Sequence, residues 1–258
     1  MEKDWIKGKV AVVVGGASGI GEGIALEASK SGAKVVIVDI NAEKGHVLVD
    51  RIVKSGGEAL FVETDVTDSS QVKKMAEAAD HFGEVKFLAN SPGLQTYGTV
   101  DSTSEEDWDR TLNVNMKSIF LVSKEIIPLI RKNGGGGVVN ISSIQGLRCQ
   151  NNVLAYATSK GAVIAMTRSM GLDYAREGIS VNCICPGSVD TPLLRFGAAE
   201  HGPLEDVLNE WGEHHPIGRI GTPEEIAKTT MFLWSPDSNF MIGQPVIVDG
   251  GLGSSIFT

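Results

Sequence analysis

VGGASGIG, residues 14–21, joins two segments of opposite character. Before it runs KVAVVV (9–14), a continuous β-branched stretch of the kind that forms a strand covered on both faces. After it runs IGEGIALEASKSG (20–32), which reads as a helix ending at Gly32. The glycines at 15, 19 and 21 stand in the spacing G-x-x-x-G-x-G. Glycine at a strand-to-helix junction permits a tight turn and close approach of backbone to a phosphate. The helix N-terminus then meets the anion with free N–H groups and the positive end of its dipole. Gly15, Ser18, Gly19, Ile20 and Gly21 are therefore the candidate pyrophosphate-binding turn.

Moving outward, strands and helices alternate. KVVIVD (34–39) is a second buried strand, AEKGHVLVDRIVKSGG a helix weakened by Gly45, and ALFVETDV a third strand. SSQVKKMAEAADHFG reads as a helix with Ser69 or Ser70 as its cap. VKFLAN (85–90) is a fourth strand, followed by one long helical region from about 105 to 132 with Pro128 as a kink. GGGG (134–137) is a turn into VVNIS (138–142), and a helix near 153–176 leads to ISVNCIC (179–185). Such alternation specifies an α/β fold, a doubly wound parallel sheet with helices on both faces. With no repeat, linker or composition shift, residues 1–258 are expected to form one domain, less regular from about 190 to 220.

Asp39 ends the second strand, 18 residues after Gly21, where an acid accepts hydrogen bonds from an adenosine ribose. Its charge would repel a 2′-phosphate, and neither Ser18 nor Ile40 is basic. NAD(H) is therefore expected over NADP(H). Asp65 and Val66, after the third strand, are candidates for the adenine pocket.

Bulk properties exclude several classes. A net charge of −9 argues against nucleic-acid binding, which needs a basic face. Cys149, Cys183 and Cys185 fit no common metal spacing, so no metal is expected. The charged start MEKDWIKGK has no apolar signal core, and no run of 18 apolar residues offers a membrane span. A cytoplasmic protein with reduced thiols is expected.

YATSK (156–160) places a lysine four residues after a tyrosine, on one face of a helix. A phenol titrates near about 10, and a fixed cation close by lowers that value. Tyr156 and Lys160 are a candidate proton-transfer pair, although an ordinary amphipathic helix would carry the same spacing.

Taken together, VGGASGIG, Asp39, TDV (64–66), NSPG (90–93), NVN (113–115), ISS (141–143), YATSK, PGSVDT (186–191) and VDGG (248–251) resemble, in order, the motifs of the short-chain dehydrogenase/reductase family. The resemblance spans nearly the whole chain and implies a Rossmann-type fold. It implies a catalytic set of Asn115, Ser143, Tyr156 and Lys160. In that set Tyr156 takes the substrate proton and Ser143 holds the same oxygen. Lys160 lowers the tyrosine pKa and binds the nicotinamide ribose, and Asn115 holds a water leading to solvent. The resemblance also places Val189 and Thr191, after the Pro186–Gly187 turn, on the nicotinamide carboxamide. Two positions depart from the pattern. Val14 replaces the usual Thr, and NSPG replaces N-N-A-G. Asn90 and Gly93 remain, so this loop is expected to pass the adenosine ribose with altered packing.

The substrate is expected under residues 193–215, which carry Glu200, Glu205, Asp206, Glu210 and Glu213 against Arg195. That acidity disfavours an acyl carrier protein, and the scarcity of large apolar residues disfavours a steroid. The histidines there, His201, His214 and His215, read as surface or structural residues. Gln95 and Gln145, amides after the fourth strand and beside Ser143, suit a polyhydroxylated ligand. With SIQ, YATSKGAV, LDYA and CPGSVDTPLLR they resemble the sugar 1-dehydrogenases of the family, which oxidise an aldose at C1. Dehydrogenation of a cyclic or secondary alcohol, and dinucleotide binding without turnover, remain the alternatives. The resemblance further implies a homotetramer, joined by the helices near 107–132 and 153–176 and by the tail GLGSSIFT.

Overall fold

The computed structural model describes residues 4–254. Seven parallel strands form one sheet in the order β3-β2-β1-β4-β5-β6-β7. They are β1 Val10–Val14, β2 Lys34–Asp39, β3 Glu58–Glu63, β4 Val85–Asn90, β5 Gly136–Ile141, β6 Ile179–Pro186 and β7 Pro245–Val248. Between them lie α1 Gly19–Lys30, α2 Ala42–Lys54, α3 Ser69–Phe82, α4 Glu105–Leu112, α5 Ser118–Lys132, α6 Leu154–Tyr174, α7 Pro192–Ala199, α8 Leu204–Glu213 and α9 Pro223–Trp234.

The alternating side chains of a strand serve two cores. Ala11 and Val13 of β1 pack with α1 and α9 on one face, around Ile24, Ile226 and Trp234. Val10, Val12 and Val14 pack on the other face with α3 and α5, around Met75, Ile126 and Ile130. All five β1 residues are buried, which accounts for the unbroken apolar run. The strand order reverses at β1, which pairs with β2 on one side and β4 on the other. A crevice therefore opens above the carboxyl ends of β1 and β4, where such sheets bind ligands.

Four sequence expectations need correction. Helix α3 is capped by Asp68, whose carboxylate accepts from the Ser70 and Gln71 N–H groups, and Ser69 and Ser70 lie inside it. The region 105–132 is not one α-helix. A π-helical turn, Asn113–Lys117, divides α4 from α5, and Pro128 lies within α5. The segment 190–220 is regular, holding α7 and α8, whose buried Ala198, Val207 and Leu208 form a small core of their own. Helix α9 and strand β7, absent from the sequence reading, complete the sheet and cover α1. Part of the tail expected at a subunit contact, residues 255–258, lies outside the described residues.

Candidate active site

The glycine turn is built by close contacts. Gly15 (φ 65°) and Gly19 (φ 57°) adopt left-handed backbone. A Cβ on Gly15 would lie 2.6 Å from the Ser91 carbonyl oxygen, and one on Gly21 would overlap the Gly15 carbonyl. Ser18 sits at the N-cap of α1 yet makes no side-chain capping bond. The first N–H groups of that helix, with their partial positive charge, thus have no capping side chain, and Ser18, Gly19 and Ile20 line the crevice. The turn is secured by Asp39 instead of a hydroxyl at position 14. Asp39 Oδ2 accepts from the Ala17 N–H and Oδ1 from the Asn41 N–H, both at 3.0 Å.

NSPG closes against this turn. Ser91 N–H donates to the Val14 carbonyl at 3.0 Å, and Leu94 N–H donates to Asn115 Oδ1 at 2.7 Å. These flanking bonds carry the loop, so Pro92 introduces no break in it. Asn90 departs from expectation. Its side chain points into the interior, donating to Asn140 Oδ1 at 2.9 Å, and it does not line the crevice. Gly93 does line it.

The crevice has a volume of about 920 Å³. It runs from Asp39, Asp65 and Val66, past the glycine turn, to Pro186, Gly187, Val189 and Thr191. Thr191 caps α7 by accepting from Leu194 N–H at 3.2 Å. A Cβ on Gly19 would meet its methyl at 3.1 Å, so the two halves of the crevice meet there. Space, an uncapped helix N-terminus and a carboxylate at the far end suit a dinucleotide: pyrophosphate at Gly15–Gly21, ribose at Asp39.

Ser143, Tyr156 and Lys160 come together at the inner wall. The short 3₁₀ turn Ile144–Gly146 follows Ser143, whose Oγ accepts from Gln145 N–H at 3.1 Å. This turn lies on α6, where a Cβ on Gly146 would stand 2.8 Å from the Lys160 backbone. Tyr156 and Lys160 are 9% and 3% exposed. Burial raises the Tyr156 pKa, opposed by the nearby Ser143 hydroxyl. Burial also depresses Lys160 to about 8. Lys160 Nζ donates to the Ile141 carbonyl at 3.0 Å. The expected lowering of the phenol pKa by Lys160 is thus not seen: the lysine turns to a carbonyl, and desolvation dominates both groups.

Asn115 sits in the π turn, buried and off the crevice. Its Nδ2 donates to the Leu94 carbonyl at 2.8 Å and to Ser159 Oγ at 3.0 Å. The wider turn directs the amide inward, where it clasps the loop after β4 to α6.

Gln95 and Gln145 both reach the substrate end. So do Tyr97, Leu193, His201 and Trp211, for which the sequence reading assigned no ligand role. His215 is buried and structural. Ser188 N–H donates to its Nε2 at 3.1 Å, which leaves the proton on Nδ1, donated to the Trp211 carbonyl at 2.8 Å. Arg195 pairs with Asp190 at 2.6 and 2.9 Å. Among the described residues no cluster suits a metal ion, no helix is long and apolar enough to cross a membrane, and all three cysteines are free.

This fold and crevice define a nicotinamide-dinucleotide oxidoreductase. Residues 15–253 match a family model described as enoyl-(acyl carrier protein) reductase. An uncharacterized oxidoreductase of Thermotoga maritima is 39% identical, over 95% of this chain and 97% of its own length. A cyclohexanol dehydrogenase of an Acinetobacter strain is 37% identical over 95% of each chain. The structure of the aldohexose dehydrogenase of Thermoplasma acidophilum superposes with a TM-score of 0.89 at 34% identity, covering 100% of this chain and 99% of that one. The chain belongs to the short-chain dehydrogenase/reductase family, and its cofactor is a nicotinamide dinucleotide.

Proposed function

We propose that the protein is an NAD-dependent dehydrogenase of a ring hydroxyl, with an aldose oxidised at C1 as its substrate class. The observation that carries the substrate reading is Gln145. Its Oε1 is buried without a hydrogen-bond donor, two residues from Ser143 on the crevice wall. A buried unpaired acceptor costs about 1–3 kcal/mol, which a substrate hydroxyl would offset. The aldohexose dehydrogenase neighbour supports the same reading. The cyclohexanol dehydrogenase relative favours a second, a cyclic alcohol without further hydroxyls.

Preference for NAD rests on Asp39, whose carboxylate faces the crevice with no cation beside it in the turn. The chemistry a bound NAD supplies is acceptance of hydride from the carbon bearing the hydroxyl. Tyr156 Oη takes that hydroxyl's proton, and Ser143 Oγ orients the oxygen. Lys160 would hold the ribose hydroxyls of the bound cofactor, and Val189 and Thr191 would hold its carboxamide. Asn115 fixes the wall by clasping Leu94 to Ser159. This grouping of acid–base residues argues against a binder without turnover. Glu200, after α7, and the acidic residues Glu205, Asp206, Glu210 and Glu213 of α8 argue against an acyl-carrier-protein substrate. A homotetramer is part of the reading, supported by Phe120 (52% exposed) on α5 and Leu172 (79% exposed) on α6. A light-scattering mass of one chain would remove that part.

The deciding experiment follows NADH formation with aldoses, cyclic alcohols and acyclic secondary alcohols. Turnover of aldoses supports the first reading. Turnover of cyclohexanol but not aldoses moves the assignment to the second. Tight NADH binding with no turnover of any alcohol sinks both.

A further inference from the structure

Beyond the reacting group, a second phenol stands in the crevice. Tyr97 lies in the loop after β4 and begins a chain of three rings. The Tyr97 and His201 centroids are 6.0 Å apart with planes at 81°, and those of His201 and Trp211 are 5.9 Å apart at 62°. All three residues line the crevice, and the last two come from the helical cover. The chain of rings therefore spans from the inner wall to the cover.

Tyr97 is held from both sides. Gly98 N–H donates to the Asn152 carbonyl at 2.9 Å, and Leu154 N–H donates to the Gly98 carbonyl at 3.2 Å. This joins the loop to the start of α6, two residues before Tyr156. Asn152 accepts a left-handed φ of 66° at that junction. On the other side, a Cβ on Gly197 would stand 2.6 Å from Tyr97 Oη. The phenol tip thus occupies space that a side chain at 197 would fill. Among the described residues no hydrogen-bond partner engages that hydroxyl. Partial burial and the neighbouring Glu200 raise its pKa, so it remains an O–H donor at neutral pH. Tyr97 and Tyr156 line the same crevice.

A donor with no protein partner, in the same crevice as the reacting phenol, is available to an acceptor on the ligand. We propose that Tyr97 is a specificity-determining residue: its hydroxyl binds a second substrate hydroxyl, on the carbon next to the one oxidised, while the Trp211 and His201 rings form the wall beside the substrate ring. The substrate class is then a vicinal ring diol, in its hemiacetal form for an aldose. This deepens, and rests on, the reading of the crevice as a ring-hydroxyl dehydrogenase site.

The test compares kcat/KM for two matched pairs, an aldohexose with its 2-deoxy counterpart and 1,2-cyclohexanediol with cyclohexanol. The wild type is expected to favour the hydroxylated member of the pair it turns over by about tenfold or more, the size of one well-made hydrogen bond. Tyr97→Phe should erase that preference by penalising the hydroxylated member about tenfold more than its partner. Gly197→Ala should do the same by displacing the phenol. Adding Gly197→Ala to Tyr97→Phe should change the preference little further, because the atom it collides with is already gone. That non-additivity separates hydroxyl recognition from general loosening of α7, which would add to the first loss. If Tyr97→Phe keeps the wild-type preference while ring alcohols are turned over, the inference is overturned and the dehydrogenase reading stands. If no ring alcohol of either pair is turned over, both fall.

Discussion

Lys160 Nζ stands 5.7 Å from the centre of the Tyr156 ring and gives its hydrogen bond to the Ile141 carbonyl, 3.0 Å away. The ammonium is thus buried without a carboxylate partner, and its pKa falls from 10.5 to about 8. That fall corresponds to about 3 kcal/mol against the charged form. Below the folded value the lysine is charged in both states and the full penalty applies. Between about 8 and 10.5 the folded protein binds fewer protons than the unfolded chain, so this contribution to stability improves as pH rises. Lys160→Met should therefore gain more in Tm over wild type at pH 7 than at pH 10. A difference that stays flat with pH would show that the ammonium is not desolvated.

Tyr156 and Ser143 should separate in their pH behaviour. Tyr156→Phe removes the proton acceptor, and kcat should fall by about 10²–10⁴ with NADH affinity nearly unchanged. Ser143 lowers the Tyr156 pKa against the effect of burial. In Ser143→Ala the rise of kcat/KM with pH should move to higher pH. Stopped-flow rates from pH 6 to 10 read both effects, and a Ser143→Ala profile that keeps its wild-type midpoint contradicts this role.

Asp39 should control the choice between dinucleotides. A 2′-phosphate placed about 4 Å from its carboxylate is repelled by about 1–4 kcal/mol. Asp39→Ser should thus shift the NAD-to-NADP ratio of kcat/KM toward NADP by at least about tenfold. It should also lower Tm slightly, because Ala17 and Asn41 lose their acceptor. Unchanged discrimination would remove Asp39 from cofactor selection.

Gly21→Ala tests the turn. The added methyl would strike the Gly15 carbonyl and crowd the Gly16 Cα, both backbone atoms of the turn. Overpacking of this kind costs about 1–3 kcal/mol. A lower Tm and weakened NADH binding, measured by fluorescence titration, are expected together. At Gly178, where a Cβ meets only the Gly135 Cα at 3.9 Å, the same methyl meets no such obstacle. There the cost should come from the φ of 72° alone.

The sheet was legible because β1 and β2 carry unbroken apolar runs and that of β4 is interrupted only by Lys86, and the turn because glycine spacing reports a steric demand directly. Capping was misread at α3 because Asp68 and Ser69 are both good N-caps, and only backbone geometry distinguishes them. The π turn at Asn113–Lys117 left no periodic signal. One extra residue barely alters a hydrophobic stripe, yet it turns Asn115 inward. Helix α7 was hidden by its shortness, α8 by its charged outer face, and both by their small shared core. The electrostatics of Tyr156 and Lys160 were misjudged for a different reason. Sequence gives the spacing of two groups along a helix, but their pKa values depend on burial and on the Ile141 carbonyl, which comes from another strand. Tyr97 escaped because its significance lies in Gly197, a hundred residues away.

The reversal of strand order at β1 also dictates a timetable for synthesis. Strand β1 can pair with β2 as soon as residue 39 has emerged, but its other edge must wait for β4, which ends at Asn90. During that interval a flat apolar strand, fully buried in the finished sheet, has one edge unpaired on the nascent chain. The crevice has no second wall until β4 arrives, and no nicotinamide end until Thr191 caps α7. Pairings this distant in sequence form slowly. Refolding should accordingly pass through a species in which β1, β2 and β3 are protected from hydrogen exchange while no dinucleotide is yet bound.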